Sequence, residues 1–283
     1  MIAQARKQTT VSIWIKHHPV LAYFILAVAI TWSIMLPLVA SAQGWLQAPI
    51  PFALHYLAAF GPMLAALIMT WVTGGAAGLK ELWGRVTKWR VGLTGAAFAV
   101  LSPVVLFALA AIVVRALGGE WPDLGRLGEI NYFPNLGIGA LALWLATYGF
   151  GEEIGWRGFA LPRLQKGRSA LSATLILGVM WIVWHMPPFL YLDTYVALGL
   201  AAFPMFALGV MMGAIVLTWL YNSTGGSVLM VAVWHGVFDF LAASKASDGY
   251  IAALMSAAIM VWAVVIVVAF KPAHLSRHEK HTL

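Results

Sequence analysis

The sequence predicts an all-α polytopic membrane protein, with about eight transmembrane helices around an intramembrane polar cavity. Three observations carry that expectation. Hydrophobic residues make up 62% of the 283-residue chain and charged residues only 10%, against roughly 45–50% and about 25% in ordinary globular domains. Eight segments approach the ~20 apolar residues that a spanning helix needs. The connections between them alternate in charge, as helices threading back and forth across a bilayer require.

The segments run over 19–40, 53–73, 92–117, 136–160, 170–187, 198–221, 227–243 and 250–270, the fifth and seventh being short. With the N-terminus inside, connections on that side hold 14 of the 17 Lys and Arg residues and leave Arg115, Arg126 and Lys245 on the other. Basic residues gather in cytoplasmic loops. The count therefore predicts both termini in the cytoplasm, for a protein of a bacterial cytoplasmic membrane. It divides the chain into a cytoplasmic segment 1–18, a membrane domain 19–270 and a cytoplasmic tail 271–283. The +7 net charge has no basic helix or fold motif behind it that would read nucleic acid; lipid is the expected partner. With no cysteine, disulfides, thiol nucleophiles and thiolate metal sites are excluded.

Each element has its own signals. The first span follows basic residues and reaches Ala40-Ser41-Ala42, which mimics a signal peptide. Its apolar run of about 20 residues exceeds the usual 7–15, so it reads as a retained anchor. His55, near the start of the second span, reads as a satisfied interfacial histidine. After that span, LKELWGRVTKWR places Leu79, Leu82, Trp83, Val86 and Trp89 on one helical face. That pattern fits a helix lying in the membrane interface, with an unstructured basic loop as the alternative. The fifth span ends at Pro187-Pro188, because the residue before a proline avoids the helical region. Irregular backbone there points to a water-lined cavity. In the tail, His274, His278 and His281 read as solvated rather than as a metal clamp. The tripeptide Val-Trp-His occurs at 183–185 and 233–235 by chance, and no internal repeat is present.

Ionisable groups inside the spans are few: Glu152, Glu153 and Arg157 in GEEIGWRGF, His185, His235 and Asp239. A charge at the bilayer centre costs about 2.5–3.5 kcal/mol on insertion scales, so such groups need compensation or a purpose. Glu153 and Arg157 are four apart and share a helix face. Glu152 lies about 100° round the helix and is left without that partner. Trp181 with His185, and His235 with Asp239, repeat the four-residue spacing. Counted inward at ~1.5 Å per residue, Glu152 lies ~15 Å deep, His185 ~22 Å, His235 ~12 Å and Asp239 ~18 Å. Helix tilt allows these depths to converge.

Carboxylates and imidazoles around buried water suit a hydrolase. A glutamate can take a proton from water, and histidines can stabilise an oxyanion or position the water. The same side chains are ordinary zinc ligands, so zinc is the cofactor they would otherwise serve. HExxH is absent, as are a Ser-Gly dipeptide and GxGD. That removes the helical zinc-protease, rhomboid and presenilin patterns.

Glu152-Glu153-x-x-x-Arg157, Trp181-x-x-x-His185 and His235-x-x-x-Asp239, in this order on separate spans, resemble the motifs of the CPBP family. These are the CAAX-protease and bacteriocin-processing membrane proteins, also called the ABI or Rce1-like group. The resemblance covers residues 136–245. It departs at Trp181, usually Phe, and at Asp239, often Asn; an aspartate is the better metal ligand. The resemblance implies a glutamate-dependent intramembrane endopeptidase acting on a peptide or protein, lipidated in the eukaryotic members. Glu152 would activate water, with Glu153 held by Arg157 in support, or the two glutamates exchanged. His185 and His235 would stabilise the oxyanion, with Asp239 orienting His235. Trp156, Trp181, Trp184 and Trp234 line the apolar entrance on this reading, or simply pack. Two other readings stay open: a non-catalytic immunity or scaffold protein of the same fold, and a proton-coupled carrier. A carrier would show two related halves, which the sequence lacks.

Overall fold

The computed structural model describes residues 10–130 and 136–283, with side chains from residue 13 onward. Arg6 and Lys7, counted above, lie outside the described residues. Among the described residues all regular secondary structure is helical, with no β-strand. Eight elements cross the molecule: α1 Pro19–Ala42, α2 Gly61–Val86, α3 Leu93–Ala116, α4 over 140–165, α5 Ala170–Trp184, α6 Phe203–Ser223, α7 Val228–Ala243 and α8 Tyr250–His274. Among the described residues, six helical stretches are long and apolar enough to span a membrane. The seventh crossing, α7, has 16 residues.

The remaining crossing, α4, is a composite. Short α-helical pieces, Ala140–Trp144, Glu153–Gly155 and Leu161–Gln165, are joined by π-helical turns at Leu145–Glu152 and Trp156–Ala160. A π turn inserts extra backbone into a helix and is found mostly at functional sites. Here the two π turns flank Glu153 and re-aim the carboxylates relative to a regular helix.

Lipid supplies no hydrophobic drive between helices, so they associate through close packing and polar contacts. Both appear. Gly149 of α4 lies against α7 so closely that a Cβ would sit 2.6 Å from the carbonyl oxygen of Ala232. Gly236 of α7 returns the contact, with a Cβ position 3.0 Å from Cα of Leu145. Thr174 bonds Thr218 at 2.9 Å between α5 and α6. The Trp184 indole donates to Thr31 at 2.8 Å, and the Thr31 hydroxyl donates to the Ala58 carbonyl at 3.0 Å. Outward, α1, α3 and α8 expose Ile25, Leu101, Val105 and Val268, the apolar perimeter that a lipid solvent requires.

Residues 76–86 are helical, so the unstructured basic loop does not apply to them. They follow a break at Gly75 (φ 58°, ψ −151°), a conformation open to glycine alone. Trp83 stays exposed, while Leu82 and Val86 turn into the core. Arg85 turns inward as well, bonding both Glu81 oxygens at 2.6 and 2.8 Å and the Gly158 carbonyl at 2.7 Å.

The C-terminal residues are not a uniformly solvated tail. The backbone breaks at Lys271 (φ 62°) and turns back at Leu275, which is buried together with Ser276. Asn222 and Gln165 pair their amides and hold the returning strand, bonding the carbonyls of His274 at 2.8 Å and His281 at 2.7 Å. The His281 ring meets Tyr221 edge-on at 5.7 Å. His278 remains exposed.

Candidate active site

The six ionisable residues singled out in the spans come together. Helix α4 supplies Glu152, Glu153 and Arg157, the C-terminal end of α5 supplies His185, and α7 supplies His235 and Asp239. Glu152, Glu153, Arg157 and His235 are buried. The charge pattern of the sequence puts Arg157 with the cytoplasmic basic residues; the structure instead places it in the interior, fully buried against Glu153.

Glu153 is saturated. Arg157 Nη1 donates to its two oxygens at 2.8 and 3.0 Å, and His235 Nδ1 meets Oε1 at 2.8 Å. The Arg157 guanidinium also lies over the Trp181 ring, 4.7 Å from its centroid. That contact offsets part of the cost of burying Nε and Nη2, which have no hydrogen-bond partner among the described residues. An ion pair with fully buried members is costly to assemble and costlier to break. Its geometric yield is the position of His235. The far ring nitrogen, Nε2, faces Asp239 at 3.3 Å, so the imidazole is bracketed by acceptors.

Glu152 differs. Its Oε2 accepts from the Trp181 indole at 2.7 Å and, more weakly, from the Trp156 indole at 3.3 Å. Oε1 takes no hydrogen bond among the described residues. The sequence reading left Glu152 without a partner, and these two indoles correct it. Trp156 stands four residues after Glu152, a spacing legible beforehand; Trp181 reaches it from another helix. Neither is a simple entrance residue. Trp184 ties α5 to α1, and Trp234 donates to Ser102 at 2.9 Å, so for both the packing alternative holds in part.

His185 caps α5 where Pro187 and Pro188 stop it, and a 3₁₀ turn, Pro187–Leu190, follows as expected. Its Nδ1 lies 2.8 Å from the Trp181 carbonyl. A carbonyl only accepts, so Nδ1 carries the proton and Nε2 is left to act as acceptor in the neutral ring. His55 is buried between two tyrosine hydroxyls, Tyr191 at 2.6 Å and Tyr148 at 3.0 Å, and is satisfied as expected.

Two cavities meet at this cluster. One, of about 630 Å³, is lined by Glu152, His185 and Asp239 and runs past His55 and Tyr148 to Thr194, Lys245 and Asp248. The other, of about 470 Å³, is mainly apolar. It takes His185, His235 and Asp239 on one side and Phe206, Val210 and Ile259 on the other. A catalytic zinc needs three side-chain ligands and an open position. Among the described residues no group of three His, Asp or Glu side chains is arranged to hold a metal ion. With both His235 nitrogens facing carboxylates, the donors do not fit such a site.

Residues 133–241 match the family model described as type II CAAX prenyl endopeptidase Rce1-like. That stretch contains all six clustered residues, in the order and spacing of the three motifs. Over residues 133–241 the chain is similar to the CPBP family. A curated relative, CAAX prenyl protease 2 of Methanococcus maripaludis, is 25% identical over 148 residues, covering 47% of this chain and 52% of the relative. The chain thus matches about half the length of that protein. Within the matched segment lie α4, α5, α6 and most of α7, the elements that build the site; α1 to α3 and α8 enclose it.

Proposed function

We propose that this protein is an intramembrane endopeptidase in which Glu152 is the general base. One observation supports the reading above the others. Of two adjacent buried glutamates, Glu153 has its oxygens filled by Arg157 and His235, whereas Glu152 keeps Oε1 unbonded in a cavity shared with His185 and Asp239. A base must reach the proton that it removes, and of the two glutamates Glu152, not Glu153, lines that space.

In the proposed reaction Glu152 takes a proton from water as the hydroxide adds to the scissile carbonyl carbon. His185 Nε2 accepts the second water hydrogen and fixes its direction. The oxyanion takes a hydrogen bond from His235 Nε2, which Asp239 holds loosely enough at 3.3 Å to release. The C–N bond then breaks as the Glu152 carboxyl returns its proton to the leaving nitrogen, giving a carboxylic acid and an amine; the remaining acid proton then passes to the amine, leaving a carboxylate and an ammonium group. Glu153 and Arg157 position His235 and do not touch substrate. The substrate is a peptide or protein segment. The relative's name refers to prenylated CAAX proteins, and prenylation of this protein's substrate is not required by the mechanism.

Membranes from cells making wild type or Glu152→Ala, at equal protein level, should differ in their cleaved peptides by mass spectrometry. Matching peptidomes would remove proteolysis and favour the scaffold reading. Metal analysis of the purified protein tests the metal-free mechanism. Stoichiometric zinc that is lost in His185→Ala would overturn it.

A further inference from the structure

The eight crossings give the molecule two ends of unlike charge, and the cavity that reaches Glu152 opens at only one of them. One end carries the connections 43–53, 117–139, 185–202 and 244–249. They are joined by Lys245 N–H donating to the Glu129 carbonyl at 3.0 Å and by the Gln43 amide donating to the Leu190 carbonyl at 2.8 Å. The other end carries 76–92, 166–169, 224–227 and the returning C-terminal strand. There Lys88 Nζ donates to the Gly225 carbonyl at 2.7 Å and Gln165 to the His281 carbonyl at 2.7 Å.

Charge separates the two ends. Segments 80–90, 163–168 and 271–280 hold ten Lys and Arg residues, with Glu81 and Glu279 as their acids. The first end holds three basic residues, Arg115, Arg126 and Lys245, against five acids, Glu120, Asp123, Glu129, Asp193 and Asp248. Two of the three are engaged by acids, Arg126 with Asp248 at 3.4 Å and Lys245 with Glu129 at 3.7 Å. Basic residues within about 15–20 positions of a span stay in the cytoplasm. The basic end is therefore the cytoplasmic one.

The cavity mouth belongs to the other end. Its rim is Thr194, Lys245, Asp248 and Gly249. Neither cavity takes a lining residue from 76–92, 156–170 or 261–283. Between the site and the basic end lie Arg157, Phe159, Leu161 and Tyr221, each buried, with Arg85 bonded to the Gly158 carbonyl and to Tyr221 across the gap. The cytoplasmic route is closed by packed side chains.

We infer that the site is served from the extracytoplasmic surface, and that its substrate is a peptide segment presented there rather than a cytosolic chain end. This rests on the reading of Glu152 as a peptidase base, but its first test does not need turnover. Because the chain has no cysteine, single reporters need no background substitutions. Thr194→Cys at the rim and Gln47→Cys on the same end are compared with Glu279→Cys on the basic end, each in bacterial cytoplasmic membrane. A membrane-impermeant maleimide should label the first two in intact spheroplasts and lose them in right-sealed inside-out vesicles, with Glu279→Cys behaving in reverse. Labelling of Thr194→Cys and Gln47→Cys only in inside-out vesicles would overturn the orientation, and labelling of all three from one side would overturn the two-ended arrangement. The second test maps the peptides that depend on Glu152. Cleavage in extracytoplasmic segments is expected, and cleavage confined to cytoplasmic segments would overturn the substrate class while leaving the peptidase intact.

Discussion

Two adjacent glutamates acquire different hydrogen-bonding environments because their neighbours differ. Glu153 meets a guanidinium on its own helix and an imidazole on α7; Glu152 meets indole donors at one oxygen only. A hydrogen bond to a charged group contributes about 1.5–3 kcal/mol, and the 2.7 Å bond from Trp181 is the better of the two. Trp181→Phe keeps a ring beneath Arg157 and removes that donor. It should lower kcat/KM by about tenfold, or ~1.4 kcal/mol, on a peptide from the Glu152-dependent set, with the fall in kcat rather than KM. An unchanged kcat would show that the indole does not hold the base. Arg157 is a different case, since its removal leaves Glu153 buried without its cation. Breaking a buried pair costs about 3–5 kcal/mol. Arg157→Met should therefore lower the unfolding midpoint in detergent and reduce the yield of folded protein, beyond the loss of activity. A wild-type midpoint would contradict the role given to this pair.

Among the elements, α4 is the one whose irregularity matters. A regular helix would place Glu152, Glu153 and Arg157 at fixed 100° steps. The π turns on either side of Glu153 relax that constraint and let neighbouring carboxylates serve different partners. The α4–α7 contact carries the register between Glu153 and His235, and it depends on the missing side chains of Gly149 and Gly236. Placing a Cβ 2.6 Å from the Ala232 carbonyl oxygen forces the helices apart, and overpacking of this kind typically costs about 1–3 kcal/mol. Gly149→Ala should lower both the unfolding midpoint and the activity. Substitution at Gly209, where a Cβ meets nothing within 4 Å, serves as the control and should leave stability close to wild type. Equal behaviour of the two variants would remove close packing as the explanation.

At the scale of the whole molecule, the returning C-terminal strand fastens the basic end across α4 and α6. His281 is part of that fastening. Partial burial holds its imidazole below the ordinary value of 6.5; Arg85 and Lys88 nearby act in the same sense and Glu81 opposes them. A histidine whose folded value is depressed binds its proton more readily when released. The docked strand is then favoured above pH 6.5 and loosens as the pH falls below it. Hydrogen exchange or limited proteolysis of residues 275–283 should be slow at neutral pH and faster in mild acid. His281→Phe, which cannot be protonated, should abolish the difference. A strand equally protected at both pH values would exclude the histidine as its fastening.

The sequence by itself determined the all-helical, polytopic membrane class and which ionisable residues stand inside apolar segments. Long apolar runs, loop charge and isolated polar groups are local signals that no folding is needed to read. The stop of α5 at Pro187 and the Glu153–Arg157 pair were legible for the same reason, being set by covalent geometry or by a four-residue helical repeat. Only the tertiary structure decided which glutamate keeps a free oxygen, because the deciding donor, Trp181, comes from another helix. It also decided that Arg157 and Arg85 turn inward and that the C-terminal strand folds back. Those choices depend on partners distant in sequence, on Glu153 and His235 or on Asn222 and Gln165, and on π turns that shift the side-chain phase of α4. Packing across helices, which a one-dimensional pattern does not contain, made those decisions.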